Sequence, residues 1–263
     1  MKENIIELSP DKYSLALDFF DKSHPNYPVA MAVFEGNNPG QLWVDKLIDP
    51  SVCLLITHAG YSFIKTKQNN ISEPVFSAIV EILKKHNPKV VCQPMDFIAV
   101  KLKKQGFVPR QNSSPCRIHF NHAGEMTLIN KLCETLPSDC EVKKINAELL
   151  KKSSWLNYLT LFYGTEENFL QKGFGFALVR DAEIVSEAFA CYIGGNCVEI
   201  GYVTSEHHRG KGYAPIVSAF LLKEIFNRGL SPIASCDVSN PASAKTAQSL
   251  GFEENMRYDF LVI

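Results

Sequence analysis

Apolar residues in the last third of the chain fall into strand-length blocks. Residues 174–180 (FGFALVR), 184–193 (IVSEAFACYI) and 198–204 (VEIGYVT) are rich in β-branched and aromatic types, and the turns 181–183 (DAE) and 194–196 (GGN) separate them. The pattern predicts an antiparallel meander. The period then changes: Pro215, Ile216, Ala219, Phe220, Leu222 and Phe226 recur at helical spacing, Arg228 sits in the last turn, and Gly229 supplies a left-handed stop. Residues 233–238 predict another strand, Ser239 and Asn240 are helix-capping types, residues 241–250 predict a helix ended by Gly251, and 258–263 predict a closing strand. A strand reached through a helix is expected to lie parallel to the strand before it, by a right-handed crossover.

The first half carries a weaker version of this plan. Strands are expected over 52–57, 90–92 and 117–120, and helices over 75–85 and 98–105. The phrases KKQGF (103–107) and QSLGF (248–252) occupy matching places, each followed by a turn and a strand, so the order and the residues together predict a duplicated unit. Between the halves Met126, Ile129, Leu132 and Cys133 suit one amphipathic helix, broken by Pro137-Ser138-Asp139. The expected organisation is a first domain over 1–125, a linker helix over 126–140 and a second domain over 141–263.

Composition narrows the function classes. Lys and Arg total 27 against 28 Asp and Glu, so no global basic field exists to gather nucleic acid or an anionic membrane, and any anion site must be local. No apolar run approaches the roughly 20 residues of a membrane span. The N-terminus, MKENIIELSPDKY, lacks a signal-type apolar core, and a cytoplasmic location is expected. The cysteines are scattered without a Cys-x-x-Cys and read as buried free thiols. His119 and His122 have the spacing of half a metal site but no second pair of ligands, so no metal is expected.

One local anion site stands out. In HHRGKGYA (207–214) a predicted strand ends at Thr204, a loop holds Gly210 and Gly212, and a helix begins near Ala214. The first amides of a helix have no intrahelical partner and carry the positive end of its dipole, so they can cradle a phosphate. Glycine at 210 and 212 lets a pyrophosphate approach the backbone, and Arg209 and Lys211 add charge. The spacing fits neither GxxxxGK[ST] nor GxGxxG.

The loop resembles the pyrophosphate loop of the GNAT superfamily of N-acetyltransferases, [Gln/Arg]-x-x-Gly-x-[Gly/Ala], matched by Arg209, Gly212 and Ala214. VEIGYVTSEHHRGKGYA (198–214) is similar to the strand, loop and helix of the branch with Glu-Ile-Gly-Tyr on its fourth strand. NPASAKTAQSLGF (240–252) is similar to the helix that follows. The tandem arrangement with a degenerate first copy resembles a bacterial family of GNAT acetyltransferases of about this length.

The resemblance implies an α/β (α+β) fold of two GNAT-like domains, each a mixed, mostly antiparallel sheet with flanking helices, the second complete. It implies acetyl-CoA as acyl donor and a small-molecule or peptide amine as acceptor, with direct attack in a ternary complex. In that fold the fourth and fifth strands splay, and the pantetheine arm pairs with the freed amides. Here these would belong to Tyr202, Val203 and Thr204, with Arg209, Gly210, Lys211, Gly212, Tyr213 and Ala214 around the phosphates and Asn240 and Ser243 on the other side of the arm. The Tyr202 amide is the candidate donor to the thioester carbonyl.

Glu199 is the candidate base, although alternation puts it on the face opposite Ile200, Tyr202 and Thr204 unless a bulge shifts the register; Glu187 is the reserve. A salt-bridged or solvated Glu199 is the plain alternative. The tyrosine that many members carry seven residues after the asparagine is Ala247 here. That departure keeps open a second reading, a non-catalytic acyl-CoA-binding sensor. Phe174, Phe189 and Tyr192 read as core aromatics, and Trp155 and Tyr158 stand in the early helix that covers the acceptor in the family. The stretch 58–73 (HAGYSFIKTKQNNISE) has one glycine and no cradle, so the first copy is expected to serve packing or acceptor recognition. A homodimer is compatible with this plan.

Overall fold

The computed structural model describes residues 5–110 and 115–262. In chain order the first half contains β1 (Ile6–Leu8), a 3-10 segment (Pro10–Phe19), α1 (Tyr27–Phe34), β2 (Gly40–Val44), β3 (Val52–Thr57), β4 (Tyr61–Thr66), α2 (Glu73–His86), β5 (Val90–Cys92), α3 (Asp96–Lys104), β6 (Val108–Pro109) and β7 (Arg117–His122). After α4 (Met126–Glu134) come β8 (Glu141–Lys144), α5 (Ala147–Lys152), α6 (Leu156–Tyr163), α7 (Glu166–Lys172), β9 (Gly175–Arg180), β10 (Glu183–Gly194) and β11 (Cys197–Thr204). A 3-10 turn (Glu206–His208) leads to α8 (Tyr213–Asn227), β12 (Ser231–Asp237), α9 (Pro241–Ser249), β13 (Phe252–Tyr258) and β14 (Phe260–Val262). The meander, both later helices and the parallel crossover β11-α8-β12 follow the pattern read from the sequence. The segment 61–66, expected as part of a loop, is a strand, which moves the loop of the first copy to 67–72.

Two seven-stranded sheets result. Their orders are β1-β2-β3-β4-β5-β14-β6 and β8-β9-β10-β11-β12-β7-β13. The sixth place in each sheet is filled by the other half of the chain. β7 lies between β12 and β13, antiparallel to both, and β14 lies between β5 and β6. The division expected near residue 125 therefore separates neither sheet: strand 117–122 precedes it but belongs to the second sheet, and strand 260–262 returns to the first. The closing run expected as one strand over 258–263 is divided at Asp259, where the chain passes from one sheet to the other. Hydrophobic pattern marks a segment as a strand, but pairing across more than a hundred residues is decided by which sheet edge it completes.

The exchange locks the halves into one body. A shared core runs from Val29, Ala30 and Val33 through Phe63 to Cys191, Tyr192, Tyr258 and Phe260. Asn38 Nδ2 donates to Phe162 O at 2.8 Å, a polar tie inside this seam. β3 is buried at all six positions, which is why it reads as an unbroken apolar run instead of an alternation. The helix over 126–134 packs on α8 and buries Ile129 with the second sheet's core, so it is more than a connector. No helix among the described residues is long and apolar enough to cross a membrane.

Candidate active site

β11 and β12 pair in parallel at Cys197↔Ser231, Val198↔Pro232 and Glu199↔Ile233, and the pairing stops there. On its other side β11 stays paired with β10 as far as Ser186↔Thr204, and Ser205 N donates to Val185 O at 3.0 Å. Groups on an antiparallel strand point alternately toward and away from the partner. With Ser205 N–H directed at β10, the N–H groups of Tyr202 and Thr204 face the gap. These are sheet donors without a sheet partner, the condition under which an extended ligand adds as a strand.

A cleft of about 730 Å³ opens on this gap. It is lined by Tyr202, Val203, Thr204, Arg209, Gly210, Gly212, Tyr213, Ala214, Asn240 and Ser243, while Lys211 stands exposed beyond its wall. Gly210 and Gly212 both have φ of +77°, and a Cβ built on either would meet no atom within 4 Å. The left-handed backbone explains glycine, and the open space leaves room for a bulky anion against the main chain. Gly212 is also the N-cap of α8, and no side chain caps that end. Arg209 lies back on the strand, its Nε donating to Thr204 O at 3.4 Å. Across the cleft Asn240 caps α9 by accepting from Ser243 N at 3.1 Å, and Tyr202 Oη donates to Ser243 O at 2.8 Å. Burial pushes the Tyr202 phenol up to about 12, so it stays protonated and keeps this bond. A nucleotide diphosphate and its arm fit these residues.

A second cavity of about 230 Å³ adjoins the cleft, and Tyr202, Asn240 and Ser243 line both spaces. Glu199 lies here. The bulge that disturbs this pair of strands falls on β10, between Ala190 and Tyr192, so alternation along β11 is intact and Glu199 keeps the face opposite the Tyr202 ring. The gap brings the two faces together. Ser235 Oγ donates to Glu199 Oε1 at 2.6 Å, while Oε2 is sealed from solvent without a partner. Burial pushes the Glu199 carboxyl up, and the Ser235 hydroxyl and the Arg117 charge pull it partly back. Among the described residues Glu199 makes no ion pair, and part of the residue stays accessible.

The walls come from both halves: Tyr61 from β4, Arg117 from β7, Phe162 from α6, Tyr192 from β10 and Asp237 from β12. Trp155, at the start of α6, stacks on Phe189 at 5.9 Å and 10° and also faces the cavity. A Cβ at Gly201 would stand 2.5 Å from its indole, so the glycine gives the ring its seat. Tyr158 is exposed, and Glu187 lies outside both spaces, its Oε1 accepting from Ser154 N at 3.0 Å and Ser154 Oγ at 2.8 Å. Ala247 is buried against the cavity and offers no proton.

A family model described as GNAT acetyltransferase matches residues 19–261. The chain belongs to this GNAT acetyltransferase family. A Bacillus subtilis (strain 168) relative, "Uncharacterized N-acetyltransferase YdfB", is 26% identical over 257 residues, covering 96% of each chain. Among solved structures, a GCN5-related N-acetyltransferase-like protein from Streptococcus suis 89/1591 aligns with a TM-score of 0.72 at 21% identity, covering 96% of this chain and 98% of that one. A tandem GNAT protein from the clavulanic acid biosynthesis pathway gives 0.65 at 12% identity, covering 98% and 97%. At these identities the structures speak for the tandem GNAT fold.

Sequence reasoning had no means of finding Tyr61, Arg117, Phe162, Ser235 or Asp237 as cavity residues. Tyr61 and Arg117 enter from the first half, Arg117 on the exchanged strand, while Phe162, Ser235 and Asp237 reach the cavity on α6 and β12 of the second half. The one local sign was a charged residue opening the strand RIHFNH at Arg117.

Proposed function

We propose that this GNAT protein is an acetyl-CoA-dependent N-acetyltransferase in which an amine, bound in the cavity beside Glu199, attacks an acetyl thioester held in the cleft between β11 and α9. The observation that carries the reading is the pair of adjoining spaces: a donor cleft with an uncapped glycine-rich helix start, and an aromatic cavity lined by Glu199, with Tyr202, Asn240 and Ser243 lining both.

The residues divide the work. The amides at 210–214 hold the pyrophosphate, and Thr204 and Tyr202 offer N–H groups to the arm. The Tyr202 N–H, at the inner end of the gap, donates to the thioester carbonyl as negative charge gathers on its oxygen. Glu199 accepts the proton that the amine must lose, and its upward-shifted carboxyl brings its basicity nearer to neutral pH. The new C–N bond forms as the C–S bond breaks, and the thiolate leaves with the electron pair. Thiols ionise near pH 8.5, so this leaving group departs without an acid at Ala247 and takes its proton from water.

Titration calorimetry with acetyl-CoA, followed by thiol release over a panel of amines, tests the proposal. Binding in the micromolar range and acceptor-dependent thiol release are expected. Tight binding without release by any amine would favour the sensor reading, and no binding would overturn both.

A further inference from the structure

Glu199 and Arg117 both line the smaller cavity, and aromatic side chains supply much of the rest of its wall. Glu199 contributes one sealed oxygen without a partner, and Arg117, whose side chain is 11% exposed, contributes a sealed Nε without a partner. Among the described residues no ion pair joins the two. Arg117 Nη1 donates to Asp237 Oδ1 at 2.9 Å, and Arg110 lies 3.8 Å from the other oxygen of the same carboxylate. Asp237 lines the cavity beside Arg117, and Arg110, outside that lining, shares its carboxylate. Tyr61, Trp155, Phe162 and Tyr192 supply the remaining walls. About 230 Å³ is the share of roughly eight liquid waters, room for one compact molecule.

We infer that the acceptor is a free amino acid with an aromatic or large aliphatic side chain, its ammonium toward Glu199 and its carboxylate toward Arg117. The inference rests on the transfer reading above and names its substrate. A buried polar atom without a partner is destabilising, and two of opposite charge on one cavity are complementary to a zwitterion. The free edge of a guanidinium suits a carboxylate, which accepts planar paired donors. Aromatic faces attract the ammonium before it is deprotonated and then pack the side chain. A simple amine would bring no acceptor to Arg117 Nε, and an amino acid amide would bring a neutral group to it.

The test compares acceptors that differ only in the carboxylate. With acetyl-CoA saturating, thiol release is measured for phenylalanine, tryptophan and leucine beside phenylalaninamide, phenethylamine, tryptamine and isoamylamine. The free amino acids are expected to have kcat/KM at least about thirty-fold higher than their partners. Equal or better turnover of the amides and simple amines would overturn the inference and leave acetyl transfer standing. No turnover by any of them, with acetyl-CoA bound, would overturn the transfer reading and this inference with it. Arg117→Met should bring the ratio of phenylalanine to phenylalaninamide close to one by raising KM for phenylalanine, and Arg117→Lys should restore part of it. Because Arg117 also pairs with Asp237, the acceptor series decides the matter if the Met variant fails to fold.

Discussion

Ser235 gives its hydroxyl proton to one oxygen of Glu199 at 2.6 Å, and the other oxygen has no partner in the protein. The bond favours the ionised carboxyl and opposes the upward push of burial. Ser235→Ala removes it, so the acidic limb of the pH profile of kcat/KM should move to higher pH while KM for acetyl-CoA stays near its original value. Glu199→Gln should lower kcat by about 10²–10⁴. Stability should move the other way. Because the folded carboxyl titrates above its unfolded value, ionisation opposes folding above the folded pKa and has no effect below the unfolded one. The Gln variant should therefore gain in thermal midpoint relative to the parent at pH 8 compared with pH 4.5. A variant equally shifted at both pH values would argue against a buried titrating carboxyl.

Gly212 tests the cradle. Its φ of +77° disfavours any other residue by roughly 1–2 kcal/mol, yet a Cβ there meets nothing in the protein. Gly212→Glu should thus lower the unfolding free energy only modestly while reducing acetyl-CoA affinity by at least about a hundred-fold, through lost approach and added negative charge. Titration calorimetry beside a urea melt separates the two effects.

The exchanged strand predicts where the C-terminus acts. Phe260 is fully buried between β5 and β6, and the Arg117 guanidinium lies 5.3 Å from its ring centroid. Phe260→Ala should destabilise the protein by about 3–5 kcal/mol. Hydrogen exchange should show lost protection at Val90–Cys92, far away in sequence, before it does at Gly175–Arg180. Uniform loss over both sheets would mean that the exchange does not localise the effect.

His24 predicts an acid limb of stability. Burial, with the charge of Lys65 and the neighbourhood of His119, pushes its pKa down to about 3, with Asp21 opposing. A histidine depressed in this way stabilises fully above its unfolded value near 6.5, and the contribution is lost as pH falls toward 3, on the order of 5 kcal/mol. Asn26 N donates to its Nδ1 at 3.1 Å. His24→Gln, which keeps an acceptor and cannot be charged in this range, should flatten the fall of the thermal midpoint between pH 6.5 and 4. An unchanged slope would assign the acid sensitivity elsewhere.

The local chemistry of the donor side is legible in the order of residues along the chain. Strand, glycine loop and helix are consecutive between 197 and 227, and Asn240 follows on the next helix. Short-range rules of turn and cap therefore place the residues around Gly212 and Asn240 without knowledge of the rest. Alternation also placed Glu199 on its face. The tertiary structure alone decided what that face meets. Tyr61 and Arg117 come to Glu199 from the other half of the chain, and Arg117 arrives on a strand exchanged between sheets. The hydrophobic pattern of RIHF says that it is a strand; which sheet it joins depends on free-energy differences between edges more than a hundred residues away. The acceptor cavity is a product of that pairing, and no window of the sequence contains it.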